Sequence, residues 1–104
     1  TMHIMVNHWP SRGGGVAQTS PYRQIAAAVG KHIADSLLAI NPNTKIILMG
    51  DLNDNPTDAC VIKVLHTKAD TTNVTITDIY NPWINMFKKG IGTEIYDGQW
   101  NLID

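Results

Sequence analysis

Apolar and polar positions alternate from His3 to Trp9, with Ile4 and Val6 on one side, so this stretch reads as a short strand stopped by Pro10. Ser11 to Thr19, with Gly13-Gly14-Gly15 inside it, reads as a loop. Ser20-Pro21 looks like a helix start, the serine as N-cap and the proline in the first turn. Tyr22, Ala26, Val29, Ile33, Leu37 and Ile40 then recur at three- and four-residue steps, which predicts one buried stripe on a helix ended by Asn41-Pro42-Asn43. Lys45-Ile46-Ile47-Leu48-Met49 is a continuous apolar run, the pattern of a central strand buried on both faces. Gly50-Asp51-Leu52-Asn53-Asp54-Asn55-Pro56 follows at its carboxyl end. A short helix is expected from Thr57 or Asp58 to Leu65, packing Val61, Val64 and Leu65. Residues 66–77 read as a polar loop, and 79–87 as one or two helical turns closed by Lys88-Lys89-Gly90. Two strands, Gly92 to Tyr96 and Trp100 to Ile103, flank Asp97-Gly98, a strong hairpin signal, and the chain reaches Asp104 within an apparent strand. The order of elements predicts a mixed α/β fold in one domain.

Composition narrows the function classes. With 43% hydrophobic and 16% charged residues the chain reads as globular, and a formal net charge of −1 supplies no basic field to draw it onto nucleic acid or an anionic membrane. No apolar run approaches the roughly 20 residues of a membrane span, and no signal-peptide pattern is visible. Cys60 stands alone, which excludes an internal disulfide and a thiolate metal cluster. Nothing in the residues fixes a compartment.

The candidate chemistry lies at the two strand ends. An aspartate at a strand's carboxyl end can orient water or bind a hard cation, and alternation would point Asp51 and Asn53 the same way. Ordinary turn chemistry also accounts for the Asp51–Pro56 segment, and from that segment alone it is the commoner explanation. His8 ends the first strand, where an imidazole can act as a general acid or serve only as a structural hydrogen-bond partner. Arg12 and Arg23 flank the glycine loop and could fork onto a phosphate or simply be solvated. Gly13-Gly14-Gly15 is not a P-loop, since no Gly-Lys-Ser/Thr follows. Asp54 and Asp58 read as turn and helix-cap residues, His3, His32 and His66 as structural, and Trp9, Trp83 and Trp100 as packing residues.

Taken together, the segments resemble the endonuclease/exonuclease/phosphatase superfamily, the fold of deoxyribonuclease I and the abasic-site endonucleases. Val6-Asn7-His8-Trp9-Pro10-Ser11-Arg12 is similar to the family's strand ending in Asn/Thr-His. Arg23 stands where many members carry an arginine. Met49-Gly50-Asp51-Leu52-Asn53 resembles the diagnostic Gly-Asp-Phe/Leu-Asn string, and Trp100-Asn101-Leu102-Ile103-Asp104 a later strand ending on aspartate.

The resemblance implies a four-layer α/β/β/α sandwich and hydrolysis of a phosphate ester, nucleic acid among the candidate substrates, by water with the help of magnesium (manganese or calcium as substitutes). It implies that Asp51 orients or deprotonates the water, that Asn53 holds phosphate or assists at the metal, that His8 is a general acid or stabilises charge on the phosphate, and that Asp104 orients a second histidine. Asn7, Arg12 and Arg23 become phosphate-binding candidates, and Asp51 and Asn53 the metal-binding ones. Phosphomonoesters and lipid head groups are alternative substrates within the same family. The family's early metal-binding glutamate and its closing Ser-Asp-His string have no counterpart among these 104 residues, whose sole glutamate is Glu94. Residues 1–104 are therefore expected to be the central part of one domain, inactive alone.

Overall fold

The computed structural model describes all residues 1–104. Strand β1 (Met2–His8), helix α1 (Val16–Ile40) and strand β2 (Lys45–Asp51) form a β-α-β unit in which the two strands pair parallel, from Met2 opposite Lys45 to His8 opposite Asp51. A π-helical turn (Cys60–Val64) follows, then β3 (Thr67–Lys68), β4 (Ile79–Tyr80), helix α2 (Trp83–Lys88), β5 (Glu94–Tyr96) and β6 (Gln99–Asn101). β3 pairs parallel with β4, and β5 antiparallel with β6, giving three two-stranded sheets. The mixed α/β expectation holds at this level.

Several local expectations hold as well. Asp97 and Gly98 both have positive φ, 49° and 72°, as a tight two-residue hairpin turn of matching twist requires. Asn41 ends α1 with its own N–H on the Leu37 carbonyl, and its side chain accepts from the Asn43 amide. Gly90, at φ 83°, closes α2, its amide bonding the Phe87 carbonyl while Ile91 bonds that of Met86. The helical segment packing Val61 and Leu65 is present, with both side chains buried.

Other expectations are corrected. First, α1 starts at Val16 rather than at Ser20-Pro21, and Pro21 lies inside it. Proline offers no donor to the preceding turn. Side chains reinforce that turn: the Thr19 hydroxyl donates to the Gly15 carbonyl at 2.7 Å, and Arg23 Nη2 to that of Val16 at 3.0 Å.

Second, the face of α1 turned inward is Arg23, Ala27, Gly30 and Ala34, while Tyr22, Val29, Ile33 and Ile40 are exposed. The choice follows from approach distance. A Cβ on Gly30 would lie 3.2 Å from Leu48 Cδ1, so small residues let the helix lie close on β2.

Third, β2 is not buried on both faces. Ile46 and Leu48 are half-buried whereas Ile47 and Met49 are exposed, because a two-stranded sheet has only edge strands and α1 covers one side. The strand at Trp100 also ends earlier than expected, at Asn101, and Trp83 and Trp100 are exposed. Trp9 alone of the tryptophans is core, joining Ala27, Cys60, Val61 and Leu65, with Leu48, Leu52 and Val64 packed around them.

Candidate active site

The parallel register of β1 and β2 brings His8 and Asp51 side by side at the carboxyl ends of both strands. Paired residues in parallel strands point to the same face, and here His8 Nε2 lies 3.8 Å from Asp51 Oδ2. The position of Asn53 is reached differently from the expected period-two alternation. The strand stops at Asp51, and Asn53 adopts a left-handed φ of 52°. Its backbone N–H donates to Asp51 Oδ1 at 3.0 Å, and its side-chain amide donates to the Trp9 carbonyl at 2.9 Å. Asn53 is thus tied at once to Asp51 and to the segment leaving β1. Gly50 makes this junction possible: at φ 116°, any Cβ there would overlap the Asn7 carbonyl oxygen.

Behind this edge lies a buried polar hub. Arg23 is fully buried, with Nε 2.8 Å from Asp54 Oδ1, although neither atom makes an aligned hydrogen bond, so the contact is chiefly one of charge. Arg23 Nη1 donates to the Thr19 hydroxyl at 2.7 Å and approaches the Pro10 and Ser11 carbonyls at 3.4 and 3.3 Å. The Cys60 thiol donates to Asp54 Oδ2. Burial first, and then that bond to an anion, push the thiol well above its ordinary range. Arg12 spans three segments: Nε to the Asn53 carbonyl at 2.7 Å, Nη1 to Asn101 Oδ1 at 3.2 Å and Nη2 to Asp58 Oδ2 at 3.0 Å. Asp58 also accepts from the Asn55 amide, which befits a turn and cap residue. Burial raises its carboxyl above the ordinary value, against the opposing pull of that amide.

The β5–β6 hairpin docks on the same loop. Leu102 N–H donates to Asn55 Oδ1, Asn55 Nδ2 to Asn101 Oδ1, and Leu52 N–H to the Ile103 carbonyl at 2.7 Å. Two strand ends, a Gly-Asp-Leu-Asn turn and a later strand end therefore meet at one edge, in the order suspected from the sequence. The pattern of the Endonuclease/Exonuclease/phosphatase family matches residues 1–104, the whole chain. The chain belongs to the endonuclease/exonuclease/phosphatase family. No curated protein and no solved structure matches it.

Membership of the endonuclease/exonuclease/phosphatase family makes a phosphoesterase or nuclease-type hydrolase the functional class, in a family that generally uses divalent metals. Magnesium takes one or two carboxylates and keeps several waters. The residues present fit such an ion modestly. Asp51 is a partly exposed carboxylate, and the Asn53 amide, held through its nitrogen on Trp9, keeps its oxygen unbonded. No group of three or more His, Cys, Asp or Glu side chains is arranged to hold a metal ion.

The remaining candidates are placed unevenly. Asn7 turns its amide to the Met5 and Met49 carbonyls and accepts from Trp9 Nε1, so it buttresses the strand ends. Arg23 faces the interior, where nothing of its guanidinium is exposed to a ligand. Arg12 is partly exposed, but each of its nitrogens already has a protein acceptor. Asp104 is exposed and follows the residue whose carbonyl Leu52 bonds, with no partner for its side chain. Asp54, read from sequence as a turn residue, is 3% exposed and anchors the hub. No local signal could have found it, because its partner Arg23 lies on a different element.

Proposed function

We propose that this edge is the reaction centre of a metal-dependent phosphodiesterase in which water attacks phosphorus in line with the leaving oxygen, on a DNase I-like four-layer framework. The observation that carries the reading is the pairing of His8 with Asp51 at adjacent strand ends, with Asn53 tied to the same carboxylate. Asp51 would orient the attacking water and accept its proton. His8, across from it, would donate a hydrogen bond or proton toward the departing oxygen. Asn53 spends one N–H on Trp9 and retains a second for a phosphoryl oxygen. Donors fixed in advance by the protein stabilise charge that develops on those oxygens. A divalent cation held by Asp51 and the Asn53 oxygen would supply charge neutralisation at the phosphate. Asp104 would join from the segment beside Leu52.

Binding is the direct test, because the glutamate and the Ser-Asp-His string of the family pattern are not among these residues. Magnesium added to the isotope-labelled protein should shift the amides of Asp51 and Asn53 first, and Asp51→Asn should abolish that response while leaving the rest of the spectrum in place. In a protein where those two motifs flank the chain, Asp51→Asn should lower magnesium-dependent hydrolysis of bis-p-nitrophenyl phosphate about a hundredfold or more. Magnesium shifts centred elsewhere, or full turnover by Asp51→Asn, would remove the basis of the reading. A preference for p-nitrophenyl phosphate would move the substrate class to monoesters.

A further inference from the structure

We propose that the cleft between the triglycine loop and the β5–β6 hairpin is a subsite for the organic group that the phosphate carries, and that it selects a group with N–H donors and no negative charge of its own. This rests on the phosphate-ester reading of the neighbouring site. The cleft encloses about 410 Å³ and has Asn53 in its wall, with Arg12 and Gly13–Gly15 on one side and Glu94, Tyr96 and Asn101 on the other. That size falls within the range of small-ligand pockets. A phosphate at Asn53 would therefore enter with its substituent already facing the cleft.

The chemistry of the walls is one-sided. Arg12 is the cation there, and its charge is matched by Asp58 at 3.0 Å and Asp54 at 3.5 Å. Asn101 Oδ1 already takes two donors, from Arg12 and Asn55. Glu94, by contrast, makes neither a hydrogen bond nor an ion pair within the chain. It lies two residues from Tyr96 on β5, so both project from the same face of the strand. What remains unsatisfied is thus a carboxylate and, beside it, an aromatic ring. A carboxylate beside a ring accepts from an amino group and offers a flat surface to stack on. An additional anionic group would meet an unbalanced negative charge.

The wall is also held in place. Thr93 N–H bonds the Asn101 carbonyl at 2.7 Å, and the Thr93 hydroxyl accepts from Ile103 N–H at 3.2 Å. Gly92 lies so close to the Asn101 backbone that a Cβ there would fall 2.5 Å from its carbonyl oxygen. With the contacts of Asn55 and Leu52 described above, these fix Glu94 and Tyr96 relative to Asn53.

The donor group could come from a nucleobase or from an amino-alcohol head group, and the probes separate the two. Isotope-labelled protein in magnesium buffer is titrated with cytidine 5′-monophosphate, phosphoethanolamine, phosphoglycolate and inorganic phosphate. An amino-bearing probe should shift the amides of Glu94 and Tyr96 together with that of Asn53, and bind about tenfold more tightly than phosphoglycolate, as one charge-assisted hydrogen bond allows. Glu94→Gln should bring that ratio close to one, and Glu94→Lys should invert it. A response to cytidine monophosphate alone identifies a base, and a response to phosphoethanolamine alone a head group. If Asn53 responds to every probe while residues 94–96 do not and Glu94→Gln leaves the ratio unchanged, the subsite is wrong and the phosphate site stands. If no probe moves Asn53, both readings fall.

Discussion

The carboxyl end of the β1–β2 sheet and the open face of the same sheet are built on opposite terms. At the carboxyl end, charged and amide side chains interlock: Arg23 with Asp54, Arg12 with Asp58 and Asn101, Asn53 with Asp51 and Trp9. Along the face away from α1, Met2, Ile4, Val6, Ile47 and Met49 lie open to solvent, and the outer side of α1 exposes Tyr22, Ile25, Val29, Ile33 and Ile40. Apolar residues are plentiful, yet the bulkiest fully buried side chain is Arg23. Geometry at the candidate site is therefore set by directional polar contacts more than by burial of oil. Such contacts specify positions sharply and tolerate loss poorly, since a buried charge without its partner is costly.

The sharpest way to break this contrast is Arg23→Ala. It takes from Asp54, 3% exposed, the nearer of its two arginines, leaving Arg12 at 3.5 Å, and should cost about 3 kcal/mol in denaturant unfolding. The fully buried Cys60 thiol should resist alkylation in the native protein and react in the variant only as far as the hub opens to solvent, since Arg23 itself pulls the thiol downward. Replacing both partners, Arg23→Met with Asp54→Leu, should recover much of the loss, because it is the orphaned charge that is expensive. If Arg23→Ala were harmless, the hub would not be what holds this end together.

On the open face, Val6→Thr at a residue 76% exposed should change stability by no more than about 0.5 kcal/mol. A larger loss would mean that this face is covered in solution.

The smallest effect concerns two carboxylates with opposite pH signs. Asp58 is raised by burial, so the folded state holds its proton more tightly than the unfolded chain does. Its contribution is fully present below the ordinary 3.8 and is lost as pH rises through the folded value. Asp78, exposed, is lowered chiefly by the Thr75 backbone amide. Its contribution is present above 3.8 and is lost as pH falls through the folded value. Carboxyl-carbon titration by NMR should find Asp58 above and Asp78 below that reference.

Much of this was legible in the chain where local rules decide. Asp97-Gly98 announced its turn because left-handed backbone is cheap only for a few residues, and His8 and Gly50-Asp51 fell at strand ends because Pro10 stops the first strand and the apolar run of the second gives out after Met49. The buried face of α1 was not legible in the same way. A stripe of large residues and a stripe of Ala27, Gly30 and Ala34 share the helical period, and only the approach of Leu48 tells which one faces the sheet. Arg23 was read as a phosphate fork or a solvated side chain and Asp54 as a turn residue because those are their usual roles, and their pairing depends on how α1 folds back onto the loop after β2. Asn53 reached its place through a left-handed bend, which alternation along a strand does not foresee.

The pairing of His8 with Asp51 carries a rule of parity. In a ladder where facing alternates at each step, an insertion or deletion of one residue within β1 or β2 sends one partner through to the other side of the sheet, while a change of two restores the side. Variation in the length of these strands should therefore come in even steps, and an odd step should separate the two groups even where the sheet itself survives. The length of the connecting helix carries no such restriction, because a crossover can gain or lose residues without changing which face either strand end presents.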